Sequence, residues 1–308
     1  MNKEISIVIP VYGSVDSLNE LTSRLISAFE YKKLSYEIIL VDDGGGNSSW
    51  KKIQELVQIK KNLIGIKLSR NFGQHYAITA GIDQSSGNWC AVMDCDLQDK
   101  PEEVLKFYEK AQEGYQIVLG LRVKRQDKFF VKMTSRLFYF ILNYLTNQSI
   151  DHRVSNFGIY SRKVIEAVKK YKEKDRAFSI LISLVGFSKT YIEIEHGLRE
   201  SGTSNYNFKK RLSLALDCAL SHSNKPLLLF VQLGALVSIF SSFIGLSIVL
   251  KFFLTSSPVS GWTSIIVSLF FLFGILISVM GVIGLYIGKI YNEVKKRPLY
   301  IVDEETKN

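Results

Sequence analysis

From Pro226 to Gly288 the chain carries a single charged residue, Lys251, and a polar break at Thr255-Ser-Ser-Pro-Val-Ser-Gly261 divides the run in two. Leu227–Leu254 and Trp262–Gly288 are each longer than the about 20 apolar residues a bilayer-spanning helix needs. A soluble helical hairpin would have to bury both stretches on every side, and their uninterrupted length disfavours that. Lys209, Lys210, Arg211 and Lys225 precede the first stretch and Lys289, Lys295, Lys296 and Arg297 follow the second, while the connecting loop has no basic residue. Basic flanks stay on the cytoplasmic side, so the pattern predicts a hairpin in the inner (cytoplasmic) membrane, multi-pass, with both termini cytoplasmic. Lys251 near the outer end can snorkel to the interface. Met1-Asn-Lys-Glu4 leads straight into a strand-like run, and no cleaved signal peptide is expected.

Composition narrows the partners. Thirty-nine Lys+Arg against 29 Asp+Glu leave a net charge of +10, which suits either nucleic acid or an anionic membrane surface. The basic residues cluster beside the apolar stretches rather than along an aromatic-interleaved groove, so the reading is lipid bilayer and no nucleic acid. Cys90, Cys95 and Cys218 form no CxxC pair, which excludes a disulfide scaffold and a thiolate zinc site of the usual spacing.

The 225 residues ahead of Pro226 alternate between two periods. Ile5–Pro10, Tyr36–Val41, Leu63–Leu68 and Trp89–Met93 read as β-branched or continuous apolar strands. Between them, helical spacing appears at Leu18, Leu21, Leu25, Ile26 and Phe29, over Trp50–Ile59, and from the Ser69–Gly73 loop through Ala80. Alternation of this kind predicts an α/β fold with a largely parallel sheet and right-handed crossovers. In such sheets ligands collect at the carboxyl ends of the strands. Pro10-Val-Tyr12, Asp42-Asp43 and Asp94-Cys-Asp96 all stand at those ends, so three segments converge on one rim. GxGxxG and GxxxxGK[ST] are both absent, which disfavours a dinucleotide fold of the usual kind and a P-loop.

Two aspartates one residue apart after a strand offer the hard oxygen ligands that Mg²⁺ or Mn²⁺ prefers. Asp99, followed by Lys-Pro-Glu-Glu, or its neighbour is instead suited to cap a helix over Val104–Gln112. Arginine forks suit phosphate oxygens, although a lone arginine is as readily a solvated surface residue. His75, His152, His196 and His222 show no ligand spacing.

Ser6-Ile-Val-Ile-Pro-Val-Tyr12, Ile39-Leu-Val-Asp-Asp-Gly44, Leu68-Ser-Arg-Asn-Phe-Gly73 and Met93-Asp-Cys-Asp-Leu-Gln-Asp99 together resemble the family-two inverting glycosyltransferases of the GT-A fold. Within them the chain resembles the polyprenyl-phosphate glycosyltransferases, and the likeness runs from about Ser6 to Pro226 and on into the paired spans. The resemblance implies a GT-A catalytic domain over 1–207, a juxtamembrane amphipathic helix over 208–225, two transmembrane helices over 226–289 and a cytoplasmic tail over 290–308. It implies that Pro10, Tyr12 and Asp42 cradle base and ribose of a UDP-linked nucleotide sugar, and that Asp94, Asp96 and Gln98 form the divalent-metal motif. Arg122 matches a phosphate-meeting position. Arg199, Ser204 and Tyr206 match a late Arg-x-x-Gly-x-Ser-x-Tyr element. The implied activity is transfer of the sugar to polyprenyl (undecaprenyl) phosphate for cell-envelope glycans; the sequence leaves open whether the enzyme is a homo-oligomer.

Two departures bear on the acceptor. The family's acid is replaced by Asn156, and Asp43-Gly-Gly-Gly-Asn47 lacks the common Ser and Asp. An amide cannot serve as a general base. A sugar hydroxyl needs its proton removed, whereas a lipid phosphate is already anionic, so the loss favours a phosphate acceptor. Asp96, Asn156 and Arg122 are the catalytic candidates. The alternative is transfer to a hydroxyl of a lipid-linked saccharide; a processive synthase is disfavoured by the absence of a QxxRW element between Asn156 and Pro226. Lys124, Lys128, Lys132 and Arg136 stripe one helical face beside Phe129, Phe130, Met133, Leu137, Phe140, Ile141 and Tyr144, as in an interfacial helix. A core helix with solvated lysines has the same pattern.

Overall fold

The structure, a computed structural model, describes residues 3–13, 15–122, 154–194, 223–255 and 261–308. The stripe over 124–144 and the amphipathic segment over 208–222 lie outside these. The chain divides into two compact units, one holding the sheet together with Arg297–Asn308, the other holding the two apolar helices.

The first unit opens with β1 (Ile5–Val11), α1 (Ser17–Tyr31), β2 (Tyr36–Asp42), α2 (Asn47–Ile59) and β3 (Leu63–Leu68). It continues through α3 (Gln74–Gln84), β4 (Trp89–Val92), α4 (Glu103–Ala111) and β5 (Ile117–Arg122). After them come β6 (Val154–Ser161), α5 (Arg162–Lys170), α6 (Phe178–Leu184) and β7 (Lys189–Ile194). The eight-stranded sheet has the order β7-β5-β6-β4-β1-β2-β3-β8, where β8 is Val302–Lys307. Strands β3, β2, β1 and β4 are mutually parallel, β6 runs antiparallel between β4 and β5, and β8 runs antiparallel to β3. This is the mostly parallel mixed sheet that the alternating pattern predicts.

The alternation along each strand sorts the core into two layers. Ile5, Ile7 and Ile9 on β1 and Ile38 and Leu40 on β2 pack with Leu18, Leu21, Leu25 and Phe29 of α1 and Phe107 of α4. Val8, Ile39 and Val41 face the other way, onto Ala77 and Ile78 of α3, Val164 and Ile165 of α5 and Leu181 of α6. Each of these large side chains contributes about 1.5–3 kcal/mol when fully removed from water. A sheet covered on both faces accounts for the continuous apolar run of β1, all seven residues of which are buried. Gly81 lets α3 lie directly on β1, since a Cβ there would stand 2.3 Å from Val8 Cγ1.

The second unit is α7 (Lys225–Thr255) and α8 (Trp262–Val294), both long and apolar enough to cross a membrane. Phe240, Phe270 and Ile277 are 66%, 75% and 67% exposed, surface that water would penalise and lipid tails would not. The hydroxyl of Tyr286 on α8 donates to Ser223 O at 2.8 Å, next to the start of α7.

The reading of 290–308 as a tail is corrected. Helix α8 continues to Val294, and Val302–Lys307 adds a strand to the sheet edge. Its sequence, Val-Asp-Glu-Glu-Thr-Lys, lacks apolar alternation because the strand is almost wholly exposed. Pairing comes instead from the backbone ladder and from Lys67, whose ammonium reaches Asp303 at 2.7 Å and Glu304 at 2.6 Å.

Candidate active site

An open cleft of about 810 Å³ lies at the carboxyl ends of β1, β2 and β4, lined among others by Pro10, Tyr12, Asp43, Gln74, Asp94 and Asp96. The register explains the convergence, for Val11 stands beside Asp42 and Val8 beside Val92. Strand β4 thus leaves the ladder lower, at the level of Val8, and all three parallel strands open on the same edge of the sheet. Tyr12 is 62% exposed and presents its ring to the cleft rim, an arrangement suited to stacking on a planar base.

The acidic pair after β2 divides its work. Asp42 is 1% exposed and turned inward, where its carboxylate accepts a bond from Gly45 N at 3.0 Å. Asp43 lines the cleft and accepts from Phe72 N at 2.8 Å and Gly73 N at 2.9 Å, fastening the loop ahead of α3. Burial raises the pKa of both above the ordinary carboxylate value, and these backbone donors oppose the shift. Gly44 makes this packing feasible. Its φ is +72°, and a Cβ there would meet Asn71 N at 2.6 Å.

After β4, Asp94, Asp96 and Asp99 crowd one turn. Leu97 between them adopts a left-handed φ of 57°, and Asp96 Oδ1 accepts from Gln98 N at 3.2 Å. Asp94 is pushed up to about 6, first by burial and then by repulsion from Asp96 and Asp99, with Arg122 and a bond from Gln74 opposing. Gln74 Nε2 donates to Asp94 Oδ1 at 2.6 Å. Crowded carboxylates relieved only in part by cations are a donor set that a hard divalent cation fits. Among the described residues no three such side chains form a ready ligand cage. Mg²⁺ is commonly held by one or two carboxylates together with substrate phosphates.

Asp99 does not cap α4, which begins at Glu103 without a side-chain cap. It is 4% exposed, accepts from Arg122 Nη2 at 2.9 Å, and lies 3.5 Å from Ser155 Oγ. This buried carboxylate ties the exit of β4 to the end of β5 and the start of β6. Arg122 is thereby held at the same rim, with its Nε buried and unbonded. The β4–β6 ladder ends where Val92 pairs with Gly158, and Asn156, two residues before Gly158 on β6, lies beyond that pair at the edge where Asp94 follows β4. Arg199, Ser204, Tyr206 and His196 lie outside the described residues.

The structure brings Asp94 and Asp96 to this cleft together with Asp43, which the sequence reading named only as part of the rim, and Gln74, which it did not name, with Asp99 on the same turn. Gln74 carried one usable signal: it begins a helix directly after the glycine of Arg70-Asn-Phe-Gly73.

The sequence is similar to several known proteins. The model of the family Glycosyl transferase family 2 matches residues 6–169. The chain is 40% identical over 304 residues to the uncharacterized glycosyltransferase YkcC of Bacillus subtilis, covering 98% of this chain and 94% of that one. It is 34% identical over 304 residues to the undecaprenyl-phosphate 4-deoxy-4-formamido-L-arabinose transferase of Proteus mirabilis, covering 98% and 93%. A solved mannosyltransferase structure from Pyrobaculum calidifontis, in complex with GDP-Man and Mn²⁺, aligns with a TM-score of 0.48 at 13% identity, covering 72% of this chain and 63% of that one.

Proposed function

The chain belongs to glycosyl transferase family 2, and we propose that it moves a sugar from a nucleotide-sugar donor to undecaprenyl phosphate, with inversion at the anomeric carbon. One observation carries the choice of acceptor. The likeness to the undecaprenyl-phosphate transferase of Proteus mirabilis covers 98% of the chain, so it takes in the apolar helices as well as the cleft. The replacement by Asn156 supports it, since a phosphate acceptor needs no general base.

In this reading an oxygen of the lipid phosphate bonds to the anomeric carbon as the bond from that carbon to the nucleoside diphosphate breaks. A single displacement inverts the centre. Tyr12 and Pro10 hold the base of the donor, a UDP-sugar. Asp94 and Asp96, with Gln98 beside them, would hold Mg²⁺ or Mn²⁺, whose charge offsets that gathering on the leaving diphosphate. Gln74 orients the Asp94 carboxylate, and Asp99 holds Arg122 ready for phosphate oxygens. Asn156 orients donor sugar or acceptor from β6, while Arg199, Ser204 and Tyr206 complete phosphate contacts.

The chain leaves the sheet unit, runs through both apolar helices and returns to the sheet as β8. That connectivity supports a hairpin that enters and leaves the inner membrane on one face, with the catalytic unit cytoplasmic.

The test incubates detergent-purified protein and undecaprenyl phosphate with a panel of nucleotide sugars, with Mg²⁺, Mn²⁺ or EDTA. An acid-labile lipid-phosphate monosaccharide is the expected product. Transfer only to a saccharide hydroxyl would overturn the acceptor, and full turnover in EDTA or in Asp96→Asn would overturn the metal site.

A further inference from the structure

Strand β8 lies far from every sequence motif, yet its bonds lead to the cleft. Its ladder on β3 runs from Ile64 paired with Lys307 to Leu68 paired with Val302. One step beyond, Ser69 N donates to Ile301 O at 2.9 Å. Ser69 opens the loop whose Asn71 and Gly73 line the cleft and whose Phe72 and Gly73 amides donate to Asp43. A second fastening reaches the far end of the helix that follows that loop. Tyr300 OH donates to Asp83 Oδ2 at 2.9 Å on α3, the helix whose first residue, Gln74, bonds Asp94.

The strand is held by specific bonds rather than by burial. Trp50 Nε1 donates to Glu304 Oε2 at 2.9 Å, Lys67 spans Asp303 and Glu304, and Asn308 Nδ2 donates to Val57 O at 3.1 Å. All but one of its six residues are exposed. An edge strand so held has little apolar burial of its own to keep it paired, so the order of the loop beside it depends on these bonds.

We propose that the C-terminal strand is a positioning element of the donor cleft: by fixing Ser69 and Asp83, it sets the Ser69–Gly73 loop against Asp43 and thereby the affinity for the nucleotide. The inference rests on reading the cleft as the nucleotide-sugar site. Coupling of this kind is reciprocal, so nucleotide in the cleft must tighten β8 to the same degree that β8 tightens the nucleotide.

The experiment uses the full chain in detergent with UDP and GDP as probes, each with Mn²⁺. A variant ending at Pro298 is expected to bind nucleotide about tenfold more weakly, within the usual span of such couplings. A free peptide of residues Leu299–Asn308 should restore the affinity, and the KM for lipid phosphate should stay unchanged. In the intact protein, saturating nucleotide should slow amide exchange across Val302–Lys307. Unchanged affinity in the shortened chain, or unchanged exchange in β8 of the nucleotide-saturated intact protein, overturns the proposal. Should the shortened chain fail to fold, the exchange measurement decides alone. Failure of the intact chain to bind either nucleotide instead overturns the reading of the cleft, and this inference with it.

Discussion

Replacing Asp99 by Asn keeps the shape of the side chain and removes the charge that holds Arg122. The pair is 2.9 Å apart, with the Asp99 side chain 3% and the Arg122 side chain 27% exposed. Removing one member of a fully buried pair costs about 3–5 kcal/mol, because the partner is left charged and unpaired. Arg122 retains some access to water, which reduces the expected loss to about 2 kcal/mol. For a folded unit of this size that corresponds to a fall in Tm of roughly 4–8 °C. The measurement is a double-mutant cycle of Asp99→Asn, Arg122→Gln and the combination, followed by thermal unfolding in detergent. The two single losses should overlap, with a coupling of about 1–2 kcal/mol. Sugar transfer should fall in kcat in both single variants, since Arg122 is no longer aimed at the rim. Strictly additive losses, or an Asp99→Asn protein with unchanged Tm and kcat, would refute the buried tie between β4 and β5.

Gln74→Ala should raise the Mn²⁺ concentration needed for half-maximal donor binding about tenfold, the low end of the effect of losing a group that orients a metal ligand, read by titration with UDP present. Unchanged Mn²⁺ dependence would remove Gln74 from that role. Gly44→Ala places a Cβ against Asn71 N at a φ of +72° and should cost about 2 kcal/mol or more, raising the donor KM beyond any effect on the lipid KM. The His75 pKa lies below its ordinary 6.5, lowered by burial and then by the Arg176 cation, and its Nδ1 accepts from Phe178 N. The folded state then binds fewer protons than the unfolded chain, so stability present above about pH 6.5 is lost as pH falls below it. His75→Asn should flatten that acid limb in a pH series of melting temperatures; an unchanged slope would contradict the assignment.

Much of the fold was legible because it is written in local periodicity. The strands at Ile5, Tyr36, Leu63 and Trp89 begin where the apolar runs begin; β3 ends at Leu68 as read, and the other three ends differ from the sequence reading by a residue. The convergence of Pro10, Asp43 and Asp94 also follows from strand order alone, since parallel neighbours all end on the same edge. Side-chain direction was not legible. Nothing in Asp42-Asp43 says which carboxylate turns inward to Gly45 and which fastens the loop over α3, because that choice is made by a backbone turn that Gly44 and Asn71 shape together. Asp99 looked like a helix cap for the same reason. Local spacing beside Pro101 is correct for one, and only the fold brings Arg122 and Ser155 within reach.

By itself the sequence determined the elements that depend on near neighbours: the two apolar helices, the alternating strands and helices, and the acidic rim at the ends of β1, β2 and β4. Tertiary structure alone decided the pairings that join distant residues. Glu304 meets Lys67 across 237 positions and Trp50 across 254, with two apolar helices between. A polar hexapeptide carries no period that announces such a partner. Its place as a strand comes from the unpaired backbone of β3, a feature of the folded sheet edge that exists only once the rest of the sheet has formed.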